Sequence, residues 1–210
     1  NLREGDELLK VKVTRGDADI IIVSQEGNAI KFNEQDVRPM GRTASGVKSM
    51  NLRENDIAVC MDIAVDDEEL LVISENGYGK RTPVSEYKRQ NRGGVGLITY
   101  KISEKTGKVV GAIVCKNDDE LMLINTSGIA IRINVSDISV TSRSAMGVRL
   151  MRTSEEEKVV AIAKIAKTGD EEKDEQLSLE ACADNEVVEA NKDTSLDRLV
   201  EESQKEETEE

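Results

Sequence analysis

The feature that most constrains the fold is a segment that occurs three times, at a step of 50 and then 51 residues. The copies begin at Asp17, Asp67 and Asp118. A fixed period of this length predicts a repeat architecture in which each copy forms one structural unit. Because NLREGD at the start nearly repeats NLREND at Asn51 to Asp56, residues 1–13 are predicted to end an earlier copy. Five aligned positions keep the spacing: Gly27, Gly77 and Gly128; Lys31, Arg81 and Arg132; Asp36, Glu86 and Asp137; Arg42, Arg92 and Arg143; Gly46, Gly96 and Gly147.

Each copy shows the pattern of short β-strands joined by tight turns. Apolar runs (IIIVS, LLVIS, LMLIN) are followed by a glycine turn and by an alternating second strand. A third strand (GVKSMNL, GVGLITYKI, GVRLMR) and a fourth (IAVCMDIAV, VVGAIVC, VVAIAKIA) complete the copy. Four short strands in each period of about fifty residues predict an all-β chain of propeller-like blades. The predicted blades are residues 17–64, 66–115 and 117–166, preceded by the truncated blade at 1–13.

The charge is distributed very unevenly along the chain. The net charge is −13, but residues 167–210 hold 5 Lys and Arg against 17 Asp and Glu. The other residues hold 24 basic and 25 acidic side chains, so the repeats are almost neutral. The last segment has few large apolar residues and is predicted to be a disordered acidic tail. The overall acidity therefore does not exclude nucleic acid as a ligand of the repeats.

Several classes of catalytic and metal site find no support in the residues. The chain has no His, and its three cysteines, Cys60, Cys115 and Cys182, are too far apart to suggest a metal-binding pair. No GxxxxGK[ST] phosphate loop is present, and no run is long and apolar enough to span a membrane. We therefore expect no catalytic residue, metal or cofactor in this chain. Acidic clusters before the first strands are interpreted as a solvated rim.

Basic residues follow the first hairpin of every copy. If the copies pack side by side, these residues form a positively charged strip that can follow a phosphate backbone. The alternative is that they only keep the surface soluble. The predicted DNA-binding residues are Lys31, Arg38, Arg42, Lys48, Lys80, Arg81, Lys88, Arg89, Arg92, Arg132, Arg143 and Arg149.

One loop in the second copy is more specific. The sequence QNRGGVG places consecutive glycines after an arginine, which lets a backbone approach a ligand and offers N–H groups to phosphate. A tight connection between strands would have the same composition. The residues of this loop are Gln90, Asn91, Arg92, Gly93, Gly94, Val95 and Gly96.

Four segments are specific enough to compare with a known family: ENGYGKRTPVSEY, QNRGGVG, SGVKSMNL and SAMGVRLMRTSEEEKVVAIAKI, the last followed by an acidic end. Over residues 1 to about 166 the chain resembles the C-terminal domain of the A-type polypeptide of DNA gyrase. The resemblance implies a β-pinwheel, a six-bladed disc whose blades exchange strands, of which this chain holds about three complete blades. The family signature QRRGGKG lies in the first blade. QNRGGVG resembles it with Asn91 and Val95 replacing Arg and Lys, so it is interpreted as a degenerate copy.

The resemblance also implies a function and partners. The family wraps double-stranded DNA around a basic edge, so that an ATP-dependent type IIA topoisomerase can introduce negative supercoils. ATP and Mg²⁺ are expected in the core of the enzyme and in its gyrase B partner, with which the gyrase A polypeptide forms an A2B2 heterotetramer. The implied setting is the bacterial cytoplasm, on the chromosome, without a membrane.

Two other functions fit the residues. One is the C-terminal domain of the corresponding topoisomerase IV polypeptide, which decatenates DNA; an intact QRRGGKG upstream would favour gyrase instead. The other is a protein-binding propeller, which predicts no salt-dependent DNA binding. The acidic tail either competes with DNA for the basic strip or serves only solubility.

Overall fold

The computed structural model describes residues 2, 5–154 and 156–165, and over these residues it is built from β-strands. The predicted all-β class is therefore confirmed. The prediction of a disordered tail at 167–210 lies outside the described residues. Each second strand of a repeat is followed by a 3₁₀ turn of three residues. The strands are β1 Asp19–Ser24, β2 Asn28–Asn33, β3 Ala58–Ala64, β4 Glu69–Ser74, β5 Tyr78–Pro83, β6 Leu97–Ile98, β7 Val109–Cys115, β8 Glu120–Asn125, β9 Ala130–Asn134, β10 Val148–Arg149 and β11 Val159–Ile165.

The strands form three antiparallel sheets, one for each repeat. The strand orders are β3-β1-β2-β6, β7-β4-β5-β10 and β11-β8-β9. The first hairpin of each repeat has the same register, with Val23 opposite Ala29, Ile73 opposite Gly79 and Ile124 opposite Ala130. The alternating apolar residues of the repeats thus occupy equivalent places in the three sheets.

The edge strand of a sheet comes from the following repeat. Strand β6 of the second repeat pairs with β2 of the first, and β10 of the third repeat pairs with β5 of the second. The repeat pattern predicts all four strands of a blade in one copy, and this is wrong for the edge strand. The exchange agrees with the pinwheel that the resemblance implies. In the first repeat, residues 46–52 form no strand within the described residues.

The aligned glycines of the hairpin turns allow the next repeat to approach. Gly27 has φ +79°, and a Cβ built there would lie 2.5 Å from the carbonyl oxygen of Tyr100. The carbonyl oxygen of Gly27 accepts hydrogen bonds from the backbone N–H groups of Thr99 and Tyr100, at 2.8 and 3.1 Å. Gly77 likewise contacts the backbone of Met151. Only glycine satisfies both the left-handed turn and this close contact.

The core consists of aliphatic side chains packed between neighbouring sheets. One buried cluster joins the first two repeats and a second joins the last two, so each repeat shares its core with the next. Two of the four buried aromatic side chains also make hydrogen bonds within the core: Tyr87 O–H lies 2.5 Å from the hydroxyl of Thr99, and Tyr100 donates to Ser74. Burial of one such aliphatic side chain stabilises the fold by about 1.5–3 kcal/mol. Among the described residues, no helix is long and apolar enough to cross a membrane.

Candidate nucleic-acid interface

Three of the basic residues predicted to bind DNA are buried between repeats. The ammonium group of Lys31 lies 2.7 Å from Asp66 Oδ1 and also donates to the carbonyl oxygen of Val84 in the second repeat. Arg81, 4% exposed, donates through Nε to Ile138 O of the third repeat at 2.7 Å. Its Nη1 atom lies 2.7 Å from Glu69 Oε2 and 2.9 Å from Asn117 Oδ1. Lys31 and Arg81 therefore join consecutive repeats.

Lys80 is also fully buried. Its ammonium group donates to the carbonyl oxygens of Ser142 and Arg143 in the third repeat. Burial lowers the pKa of the Lys80 amine to about 8, although the carboxylate of Glu86 acts in the opposite direction. The prediction that Lys31, Lys80 and Arg81 contact DNA is thus corrected, because their charged groups face the neighbouring repeat instead of the surface.

Arg132 shows why the sequence could not separate these residues. It is aligned with Lys31 and Arg81, yet it is exposed and pairs with Glu120 of its own hairpin. No later repeat packs against it among the described residues. The burial at this aligned position therefore depends on the neighbouring repeat rather than on the strand pattern.

The second aligned set of arginines is more accessible: Arg42 and Arg92 are exposed, and Arg143 is half-buried. Arg92 donates through Nε to Asp36 O at 2.9 Å and through Nη1 to Lys48 O at 3.1 Å. Arg143 has one long contact, 3.4 Å from Nη1 to Ile98 O. Arg92 thus holds two carbonyl groups of the preceding repeat and Arg143 holds one.

The QNRGGVG loop, residues 90–96, connects the first and second repeats. Gly93 N–H donates to Ser49 O at 2.6 Å, and Gly94 O accepts from Asn51 N–H at 2.8 Å. Gly96 has φ +84°, and a Cβ there would lie 2.5 Å from Ala29 O. Gly93 N–H is therefore already hydrogen-bonded within the protein, so the prediction that this group is free to bind phosphate is wrong. Gly96 is required because the backbone of Ala29 packs closely against it, and Gly93 because its φ of +82° is left-handed.

Arg149 lies in the edge strand β10, and the other predicted cations lie on the connecting segments 37–57, 87–96 and 138–147. Arg38 and Lys88 are exposed, and among the described residues their side chains have no hydrogen bond or ion pair. Arg89 pairs with Asp19 at 2.8 Å, and Lys48 donates to Asn51 at 2.6 Å. Arg149 donates to the hydroxyl oxygen of Tyr78 at 2.7 Å. Arg42, Arg92 and Arg143 recur in equivalent places on the three segments, and positive groups that recur in this way can interact with a polyanion.

Two lysines near Arg149 are absent from the residues predicted to bind DNA. Lys105 lies 5.3 Å from the centre of the Tyr78 ring, and Lys158 donates to Asn76. Both precede the fourth strand of their copy, β7 or β11, rather than follow a hairpin, so the pattern that selected the other basic residues did not include them. Over the residues that the structure describes, no cluster of His, Cys, Asp and Glu could hold a metal ion.

Three consecutive antiparallel sheets, two of them completed by a strand of the next repeat, define a domain of the β-propeller class. The family described as DNA gyrase C-terminal domain, beta-propeller, matches residues 18–59, 68–116 and 119–166. This chain therefore belongs to that family. It is 57% identical to the DNA gyrase A polypeptide of Clostridium acetobutylicum over 172 residues, which cover 82% of this chain and 21% of that protein.

Other similar proteins agree with this assignment. The DNA gyrase A polypeptide of Staphylococcus aureus is 43% identical over 180 residues, covering 85% of this chain and 20% of that protein. The chain thus spans about one fifth of the length of the curated relatives it matches. A solved gyrase A C-terminal domain has a TM-score of 0.74 and 32% identity, covering 79% of this chain and 57% of that one. A topoisomerase IV C-terminal domain has a TM-score of 0.73 at 24% identity, covering 78% and 52%, which shows a shared fold.

Proposed function

We propose that this chain is the DNA-binding and DNA-wrapping part of a DNA gyrase A polypeptide. The observation that carries the proposal is the repetition of basic side chains, exposed or half-buried, at one aligned position of the three connecting segments: Arg42, Arg92 and Arg143. Exposed cations accompany them: Arg38 and Lys88 on the first two segments, and Arg149 on the edge strand that follows the third. A basic strip that recurs with the repeat can follow a phosphate backbone from one blade to the next. Phosphate contacts carry little sequence information, so the preferred duplexes are those that bend at low cost.

Membership of the family supports a proposal for the activity of the whole enzyme. Wrapping would present a positive crossing of DNA to the strand-passage core, and the ATP-dependent holoenzyme would introduce negative supercoils. ATP and Mg²⁺ would act in the core and in the gyrase B partner, within an A2B2 heterotetramer on the bacterial chromosome. The curated relatives support gyrase over topoisomerase IV, because those at 43–57% identity are gyrase A polypeptides.

The test uses exposed residues of the connecting segments. The triple variant Arg38→Gln, Arg42→Gln and Lys88→Gln is compared with a matched triple outside these segments, Arg15→Gln, Lys101→Gln and Lys116→Gln. Duplex DNA affinity is measured for both by fluorescence anisotropy over a salt series. Each lost phosphate contact lowers the slope of log K against log salt by about 0.9.

The proposal predicts a clear loss of slope in the first variant and a much smaller one in the control. The loss should be the same for duplexes of different sequence. Equal losses in the two variants would mean that only the overall charge matters. A parent chain without salt-dependent binding would instead favour a protein-binding propeller.

A further inference from the structure

A small polar pocket lies at the turn end of the second sheet, where the third repeat packs against it. Its volume is about 300 Å³, and it is lined in part by Asn76, Tyr78, Lys105, Arg149 and Lys158. Among the described lining residues, Glu104 is the one carboxylate. Three cations against one anion give the pocket a positive charge at neutral pH.

Asn76 fixes the walls of this pocket. Its side-chain Nδ2 atom donates to the carbonyl oxygens of Glu104 and Lys105, at 3.2 and 3.1 Å. Its Oδ1 atom accepts a hydrogen bond from the ammonium group of Lys158. The loop that carries Lys105 is closed further by Thr106, whose hydroxyl accepts from Ser103 N–H at 3.0 Å. Asn76 of the second repeat thus holds the backbone of Lys105 and the ammonium group of Lys158, which belongs to the third repeat, near each other before any ligand binds.

Tyr78 forms the floor of the pocket and is 7% exposed. Its hydroxyl oxygen accepts from Nη2 and Nε of Arg149, at 2.7 and 3.2 Å. The guanidinium carbon of Arg149 lies 5.1 Å from the ring centre, and the ammonium nitrogen of Lys105 lies 5.3 Å from it. Since the hydroxyl oxygen is used as an acceptor, its hydrogen can still be donated to an anion.

The equivalent junction between the first and second repeats has no such charge. Lys108 there occupies the place of Lys158, since each precedes the fourth strand of its copy. Lys108 pairs with the carboxylate of Glu26 at 2.7 Å, whereas Lys158 meets the neutral amide of Asn76. Ile98 replaces Arg149 in the edge strand. The positive pocket is therefore a property of one junction and not a consequence of the repeat.

We propose that this pocket binds one backbone phosphate of duplex DNA, with Lys105, Lys158 and Arg149 as cations and Tyr78 as an additional donor. Arginine and lysine groups that converge on a small volume suit a phosphate oxyanion. This rests on the proposed DNA-binding function and adds a fixed contact at the junction of the second and third blades. The exposed strip on the connecting segments contains neither lysine.

The test measures duplex DNA binding of the full 210-residue chain over a salt series. The variants are Lys105→Gln alone, Lys105→Gln with Lys158→Gln, and Tyr78→Phe, which keeps the ring and removes the hydroxyl. The control is Lys101→Gln with Lys116→Gln, which removes two exposed charges outside the pocket. The single Lys105 variant is included because that side chain contacts the ring of Tyr78, and its loss leaves the Asn76 hydrogen bonds in place.

We expect the double pocket variant to lower the slope of log K against log salt by about 0.9, the value for one phosphate, and the control to lower it much less. Tyr78→Phe should weaken binding at every salt concentration without changing the slope. If the parent binds DNA and the pocket variants match the control, the pocket proposal is wrong while the DNA-binding function stands. If the parent shows no salt-dependent binding, both are overturned.

Discussion

Replacement of Arg81 by leucine tests whether the buried cations join the repeats. The change removes the donors to Ile138 O and Asn117 Oδ1 and leaves the Glu69 carboxylate without its partner. Removing one partner of a buried ion pair costs about 3–5 kcal/mol. Glu69 keeps 22% of its side chain exposed, and the leucine restores some apolar packing, so we expect a loss near the lower limit, about 3 kcal/mol.

Arg132→Leu is the matched control for this prediction. Arg132 occupies the same aligned position, but 62% of its side chain is exposed and its partner, Glu120, is on the same hairpin. An exposed pair contributes about 0–1 kcal/mol. The measurement is the free energy of unfolding from urea titrations of both variants and the parent, followed by circular dichroism in the β region. If the two variants lose the same stability, burial between repeats does not determine the role of this residue.

The remaining predictions concern Lys80, the turn glycines and the acidic tail. The pKa of Lys80 is lowered to about 8 in the folded state from 10.5, so the unfolded chain binds more protons between these values. The parent should therefore gain stability relative to Lys80→Met as pH rises from about 8 to 10.5, by at most about 3 kcal/mol, measured from urea midpoints at each pH. Absence of any relative change would contradict burial of a charged amine. Gly77→Ala should destabilise more than Gly128→Ala in thermal unfolding, because both have positive φ but only Gly77 lies against Met151; equal losses would mean that the turn alone requires glycine. Deletion of residues 167–210 should raise DNA affinity at low salt and have little effect at high salt, where screening removes the repulsion; unchanged affinity at low salt would leave solubility as the role of the tail.

The sequence by itself determined the repeat, the strand type and the positions of the turns. These depend on local chemistry: apolar runs of strand length, followed by a glycine such as Gly27 that can adopt positive φ. The sequence also showed that acidic residues are concentrated in 167–210, and it showed the resemblance to the family. Both depend only on which residues follow one another along the chain.

Only the tertiary structure decided which basic residues face solvent. Lys31, Arg81 and Arg132 follow the same local pattern, yet the first two are covered by the next repeat and Arg132 is not. Alternation along a strand shows which side a residue occupies, but it contains no information on what packs against that side. The edge strands β6 and β10 follow the same rule, since pairing with a neighbouring repeat is a long-range contact that no local pattern specifies.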